Sequence, residues 1–465
     1  MATEHLASPN PTMMGTRVKT APSKKNLQVS KEQWPFVKED YRLAHQWKTE
    51  GKPIAWSCTG IPKEIFWALG IHPLFPEHYA AICAGSRRGG SKDESVEKEA
   101  VRFSKIAEAA GFRDYVCGYA RVGFGYVING DLTDAPLGGI PKPDVLITSS
   151  GLCDLRLKWF EDVAERLNVP LFTFDLPEIA QDLITVTPNL RSLVYPSSSE
   201  IIRDILVESP PDWAIDYLVD QLEELIEFLE CNTGTKLSET KLNEALDWSH
   251  KTVDVRLEIQ ELRKAVPAPM SAADGFGTMY PGLYAIGRKD TYDYYVRMRD
   301  ELKQRVEQGI GVVPEEKFRL LWYGVPPWFN MSMMNYFESQ GGVFVYEFAY
   351  SYNAKPWPMR RPENPLKELA QILLHEGKSV GSTVSSVIHD CYEYKISGTV
   401  LSYLITCRPL LFPVTEVRKA LQTEFGMPVA VVEGDLVDER TFSEGQIHTR
   451  LDALGEALLK KSTLK

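Results

Sequence analysis

Short apolar runs alternate with helical patterns at both ends of this chain and are missing from its middle, and that arrangement constrains the fold more than any other feature. Toward the N-terminus the runs are Pro53-Ile-Ala-Trp-Ser-Cys58, Asp144-Val-Leu-Ile-Thr148 and Pro170-Leu-Phe-Thr-Phe174. Helical patterns separate them, as at Ile65, Phe66 and Leu69 behind Pro62 and from Asp154 to Leu167. Strands of this kind, each followed by a helix, imply a parallel sheet covered on both faces.

Between about Ser197 and Gly311 the strand signal vanishes, and long helical patterns take over at Trp213 to Leu229, Leu237 to Val266 and Tyr292 to Gln308. Strands return at Phe318 to Tyr323, Val343 to Glu347, Gly398 to Ile405 and Pro428 to Val432. The expected fold class is therefore α/β, with two Rossmann-like parallel-sheet domains joined by a helical connector. A length of 465 residues suits more than one hydrophobic core. The boundaries read as a flexible N-terminal arm over 1–30, an N-terminal α/β domain over 31–196, the connector over 197–311 and a C-terminal α/β domain over 312–465. The arm mixes Pro, Ser, Thr and Lys without periodicity, whereas a helical pattern sets in at Lys31.

A formal charge of -11 and the lack of a long Lys/Arg run argue against nucleic acid as a partner. No stretch reaches the roughly 20 apolar residues of a spanning helix, and the N-terminus lacks the charged-then-apolar order of a secretory signal. The expected location is the cytoplasm, away from membranes. Seven cysteines spread over such a length are too few for a secreted disulfide framework, which leaves them as free thiols or metal ligands.

Three of them sit where chemistry collects in parallel sheets, beyond strand ends and at helix starts. Cys153 follows the strand Val145 to Thr148 through Ser149-Ser-Gly-Leu152, and Cys407 follows the strand ending at Ile405. Cys117 lies in Asp114-Tyr-Val-Cys-Gly-Tyr-Ala-Arg121, where Gly118 allows close backbone approach and Gly123 and Gly125 extend a permissive loop. Three thiolates can hold an iron-sulfur cubane and leave one iron open. Spacing alone also fits three unconnected loop cysteines, since no compact Cys-x-x-Cys element exists.

The stretches Val116-Cys-Gly-Tyr119, Leu146-Ile-Thr-Ser-Ser-Gly-Leu-Cys-Asp154 with Lys158-Trp-Phe160, and Tyr403-Leu-Ile-Thr-Cys407 resemble the 2-hydroxyacyl-CoA dehydratase and benzoyl-CoA reductase family at its cluster positions. Further matches are Glu315 to Leu321, Gly324-Val-Pro-Pro-Trp328, Glu338 to Tyr350, and Glu433-Gly-Asp-Leu-Val-Asp438 with Arg440. Gly324 to Trp328, Asn364-Pro-Leu366 and Met279-Tyr-Pro281 are most similar to the B-type, cluster-bearing subunit of ATP-dependent benzoyl-CoA reductases. The resemblance implies a [4Fe-4S] cluster on Cys117, Cys153 and Cys407, an acyl-CoA substrate, and a heterodimer with a homologous cluster-bearing subunit. It also implies electrons from a separate ATP-hydrolysing iron-sulfur activator; this chain has no Gly-x-x-x-x-Gly-Lys phosphate loop, so ATP hydrolysis would fall to that partner. The leading expectation is a catalytic-core subunit of an aryl-CoA reductase acting on a benzoyl-CoA-like thioester. The alternatives are a 2-hydroxyacyl-CoA dehydratase subunit and, beyond it, a non-catalytic electron relay or a double-cubane protein drawing on Cys58 and Cys83.

Glu64, in the first turn after a strand end, matches an acidic position that the family places near its active site, where it would serve as proton donor. A first-turn carboxylate meeting the helix dipole explains it as well. Arg87 and Arg88 suit CoA phosphates or a solvated turn. Trp328, with Trp322, Tyr323 and Phe329, suits an apolar pocket for a planar acyl group or ordinary core packing. His72 and His389 are candidates for protonation. Asp435, Asp438 and Arg440 read as a buried ion pair ordering a strand-end loop.

Overall fold

The computed structural model describes residues 23–151, 153–177, 210–351, 357–358, 360–375 and 380–463. The first 22 residues of the arm, Leu152 and the stretch 178–209, which spans the expected boundary between the N-terminal domain and the connector, lie outside them. Among the described residues eight strands form two four-stranded sheets, parallel throughout. The first holds β1 (Ile54–Ser57), β2 (His72–Leu74), β3 (Val145–Ser149) and β4 (Leu171–Phe174) in the order β2-β1-β3-β4. The second holds β5 (Phe318–Tyr323), β6 (Gly342–Glu347), β7 (Gly398–Leu404) and β8 (Val429–Gly434) in the order β6-β5-β7-β8. The two α/β domains thus share one winding. Each reverses direction between its first and third strands, which opens a crevice beyond their carboxyl ends.

Strands buried on both faces explain the mostly apolar runs. In β5, Leu320 and Trp322 pack with Phe344, Val400 and Val432 on one face, while Leu321 and Tyr323 join Val343, Val345 and Leu401 on the other. The edge strand β2 carried no recognisable signal, being only His72-Pro73-Leu74. Proline is tolerated there because β2 pairs with β1 alone.

Two expectations from the sequence need correcting. The arm ends earlier than residue 30: the N–H groups of Asn26 and Leu27 donate to Asp274 Oδ1 at 2.8 and 3.0 Å, Leu27 is buried, and a helix starts at Gln28 (Gln28–Thr49). The glycine-rich stretch after Cys117 is a helix, Gly118–Ile128, and not a loop. Its glycines serve close packing. A Cβ at Gly123 would overlap the Trp159 ring, and one at Gly125 would overlap the Phe103 carbonyl oxygen in the neighbouring helix Glu99–Ala109. Gly125→Ala is therefore expected to lower stability by about 1–3 kcal/mol through overpacking, read as a lower urea midpoint, although alanine favours an isolated helix.

The connector belongs to both domains. Leu218, Leu222, Leu225 and Leu229 of the helix Asp212–Thr233 complete the N-terminal core. Arg263, which ends the helix Glu239–Arg263, is buried in the C-terminal domain, where it donates to Glu347 Oε1 at 2.9 Å and to the Val345 carbonyl at 3.0 Å. No helix among the described residues is long and apolar enough to cross a membrane.

Candidate functional site

Three helix starts converge in the crevice between the two domains: Cys117 and Cys407 are the N-cap residues of Gly118–Ile128 and Arg408–Leu411, and Cys153 immediately precedes Asp154, the N-cap of Leu155–Leu167. The carbonyl of Cys117 accepts from Arg121 N at 2.9 Å, that of Cys153 from Arg156 N at 3.3 Å and that of Cys407 from Leu411 N at 3.0 Å. All three thiols are partly buried and unpaired. They also feel one another. Burial pushes the Cys117 thiol well up, and the neighbouring Cys407, Asp435 and Cys153 push it further. Burial likewise lifts Cys407 to about 11, with Cys153 and Asp435 adding and Arg156 opposing. Cysteines 290 positions apart in the chain are thereby brought to one place (407 − 117).

No group of three His, Cys, Asp or Glu among the described residues is arranged around a single metal ion. The donor set is nonetheless three sulfurs on three separate loops, soft ligands suited to a polynuclear iron-sulfur group. Crowded thiols held up by burial fit such a group, because iron charge replaces the protons that otherwise neutralise them.

Behind Cys117 and Cys407 lies a network of buried charge. Arg121, fully buried, reaches Asp438 at 3.1 Å, Glu108 at 3.1 Å and Asp435 at 3.4 Å. Arg440 binds Asp438 Oδ1 through Nε at 2.9 Å and Glu108 Oε2 through Nη1 at 3.0 Å. These contacts join helices of the N-terminal domain to the loop after β8, which the sequence motif Glu433 to Asp438 had suggested as an ion-paired turn. The close approach expected at Gly118 is present, since a Cβ there would overlap Asp435 Oδ1 and meet Val437 Cγ2 at 2.8 Å.

On the other side is a pair that sequence reading did not select. Glu77 Oε1 accepts from Arg156 Nε at 2.7 Å, and its Oε2 accepts from the N–H and the hydroxyl of Thr59, each at 3.1 Å. Arg156 also donates to the Thr59 carbonyl at 3.1 Å. Thr59 directly follows Cys58, and Arg156 stands in the first turn behind Cys153, so the pair ties the loops after β1 and β3 together. The available signal was Arg156 three positions after a strand-end cysteine. Glu77, two residues into an unrelated helix, offered none.

An aromatic wall closes the crevice. Trp328 Nε1 donates to Tyr119 Oη at 2.6 Å, and the Trp328 ring packs against Tyr350 and Phe276 with centroids 6.1 Å away in both cases. Burial raises the hydroxyls of Tyr119, Tyr284 and Tyr350 above the usual phenol range, so they stay protonated donors. The sequence expectation placed Trp322, Tyr323 and Phe329 here as well. Trp322 and Tyr323 are instead fully buried on opposite faces of the second sheet.

Other candidates are placed elsewhere. Glu64 is buried in the helix Lys63–Leu69 and accepts from the Ser249 hydroxyl of the connector at 2.5 Å. Arg87 donates to the Val96 carbonyl at 2.6 Å, and Arg88 is exposed in a 3-10 turn. Neither has a described contact with the three cysteines. His72 starts β2, at the sheet's opposite end, 3.8 Å from Asp40, and burial lowers its pKa. Burial also lowers that of His389. Cys58 lies near Arg156 and Glu77, whereas the charged neighbours of Cys83 are Glu99 and Arg102, so these two do not share one setting.

Two parallel-sheet domains place three thiols near one another beyond their strand ends. The chain matches the family model described as 2-hydroxyglutaryl-CoA dehydratase, D-component, over residues 58–458, and it belongs to that family. Among its relatives is the (R)-phenyllactyl-CoA dehydratase alpha subunit of Clostridium sporogenes, 28% identical with 89% of this chain and 91% of the relative covered. The (R)-2-hydroxyisocaproyl-CoA dehydratase alpha subunit of Clostridioides difficile is 24% identical, with 92% and 96% covered. The B-type subunit of the benzoyl-CoA reductase of Thauera aromatica is 28% identical over 75% of this chain and 77% of its own length. The family's members named here are enzymes, mostly acyl-CoA dehydratases, and subunits of larger assemblies. That balance shifts the weight from the aryl-CoA reductase expectation toward its dehydratase alternative.

Proposed function

We propose that the chain is the cluster-bearing alpha-type subunit of a 2-hydroxyacyl-CoA dehydratase, with Cys117, Cys153 and Cys407 holding a [4Fe-4S] cluster. The observation that carries the reading is the convergence of these three thiols beneath the wall of Tyr119, Trp328 and Tyr350. A cluster with three protein thiolates supplies a low-potential electron and an open iron acting as Lewis acid toward a thioester carbonyl. The protein's own groups bind and orient. Trp328, Phe276 and Tyr350 present an apolar face to the acyl chain, and the protonated tyrosine hydroxyls offer donors to its oxygen atoms. The Arg156–Glu77 pair ties together the loops that carry Cys58 and Cys153, and the closely packed domains exclude bulk water from behind the thiols.

The relatives' names, as alpha-type and B-type components, support a homologous partner subunit. The lack of a phosphate-loop motif supports a separate activator that hydrolyses ATP, and the reducing cytoplasm is the compartment that suits free thiols. A second reading, an aryl-CoA reductase, draws on the aromatic wall, which accommodates a flat ring, and on the benzoyl-CoA reductase relative.

The test is turnover of (R)-2-hydroxyacyl-CoA thioesters and benzoyl-CoA by the anaerobic complex with its activator. Turnover of a hydroxyacyl thioester continuing after ATP is removed is the expected result. Reduction consuming ATP in proportion to product would transfer the assignment to the reductase. Acyl-CoA binding that leaves this chain's EPR signal untouched would make it an electron relay and overturn both.

A further inference from the structure

Cys117 and Cys407 come from different domains, and one carboxylate touches the residue beside each. Asp435 lies in the loop after β8 and is fully buried. Its Oδ1 accepts from Val437 N at 2.9 Å and Asp438 N at 3.0 Å, which fixes the carboxylate in its own turn. Its Oδ2 accepts the hydroxyl of Thr406, the residue before Cys407, and faces Arg121 Nη2 at 3.4 Å. The same carboxylate lies against Gly118, the residue after Cys117, where any Cβ would collide with it. We propose that Asp435 is a positioning residue that holds Cys117 and Cys407 in one frame and, as a buried anion beside both, lowers the reduction potential of the group they bind. The inference rests on the reading that these cysteines hold a cluster.

The charge count supports the second half. Three carboxylates, Asp435, Asp438 and Glu108, meet two guanidinium groups, Arg121 and Arg440, so the network keeps an unbalanced negative charge. Arg121 lies closer to Asp438 and Glu108 than to Asp435. Of the further cations near the thiols, Arg156 is engaged by Glu77, and Arg408, beside Cys407, by Asp154. Adding one electron to the cluster adds one negative charge without a proton, and a fixed anion in a dry setting disfavours that reduced state. A low potential is what difficult one-electron chemistry requires, and Asp435 supplies part of it at no change in ligand set.

The experiment is an EPR-monitored redox titration of the anaerobically purified holoprotein with a low-potential reductant such as titanium(III) citrate, after iron and sulfide assay. The signal lost in Cys407→Ser marks this chain's cluster. Asp435→Asn keeps the shape and is expected to shift the midpoint to more positive potential with iron content retained. Asp438→Asn removes an equal charge farther from the ligands and should shift it less. Thr406→Val removes a donor that partly neutralises Asp435 and should shift it to more negative potential, which keeps the test available if Asp435→Asn does not fold. Iron-replete variants with unmoved midpoints, or equal shifts from Asp435→Asn and Asp438→Asn, would overturn the role of Asp435 alone. An iron-free wild type would overturn the cluster reading and this inference with it.

Discussion

Serine at Cys117, Cys153 or Cys407 is expected to strip the iron and sulfide from the anaerobically purified protein while leaving its circular dichroism intact. Losing an outer-shell partner already weakens metal binding by about 10–100-fold, so losing a thiolate should exceed that. Serine is close to cysteine in size, and each of the three sites is only partly buried, so the fold itself has little reason to fail. Cys231, exposed on the connector, serves as the control, and its serine variant should keep a full complement of iron. Iron contents equal to wild type in all three site variants would sink the ligand assignment. Loss in only one or two would reassign the remaining ligand.

Arg121→Met is expected to be the most damaging single change to stability, about 3–5 kcal/mol, because it leaves Asp435 and Asp438 buried without their shared cation. Urea unfolding at pH 7 measures it. The deficit should shrink in acid. Burial pushes the Asp438 carboxyl up, but the hydrogen bonds and charge of Arg440 and the charge of Arg121 outweigh burial and hold it below the usual range. A carboxyl with a depressed folded pKa contributes stability above the unfolded value, about 3.9, and loses it as pH falls through the folded value. Wild type therefore loses the advantage of this network below about pH 4, and the two unfolding curves should draw together there. A gap between the curves that stays constant from pH 7 to pH 3 would show that Arg121 acts through packing rather than charge.

Much of the architecture was legible because it is local. The strands at Val145, Phe318 and Val400 are buried at nearly every position and mostly apolar since both faces of a parallel strand are covered, with Arg319 and a few hydroxyl residues the exceptions. The leucines of Asp212–Thr233 recur at helical spacing for the same kind of reason. The helix after Cys117 was hidden because three glycines in eleven positions lower its intrinsic propensity, and only the oncoming Phe103 backbone and Trp159 ring explain them. The site was legible in part. Cys153 and Cys407 announce themselves by following strands, whereas Glu77 became significant only when Arg156, 79 positions later, closed on it.

Strand period and helix period are short-range properties, and they were enough to specify two parallel sheets, whereas the three thiols were nominated together only through the family resemblance of the motifs around them. Which loops meet is a long-range matter. Arg121 and Asp438 are 317 positions apart, and Trp328 finds Tyr119 across 209. Nothing in the local pattern of either partner records the other, because their pairing depends on how two separately covered sheets pack against a shared helical connector. Chain closure of that kind brought the cysteines under an aromatic wall, set an unbalanced buried charge behind them, and turned Gly118 from a flexible residue into the gap that admits Asp435.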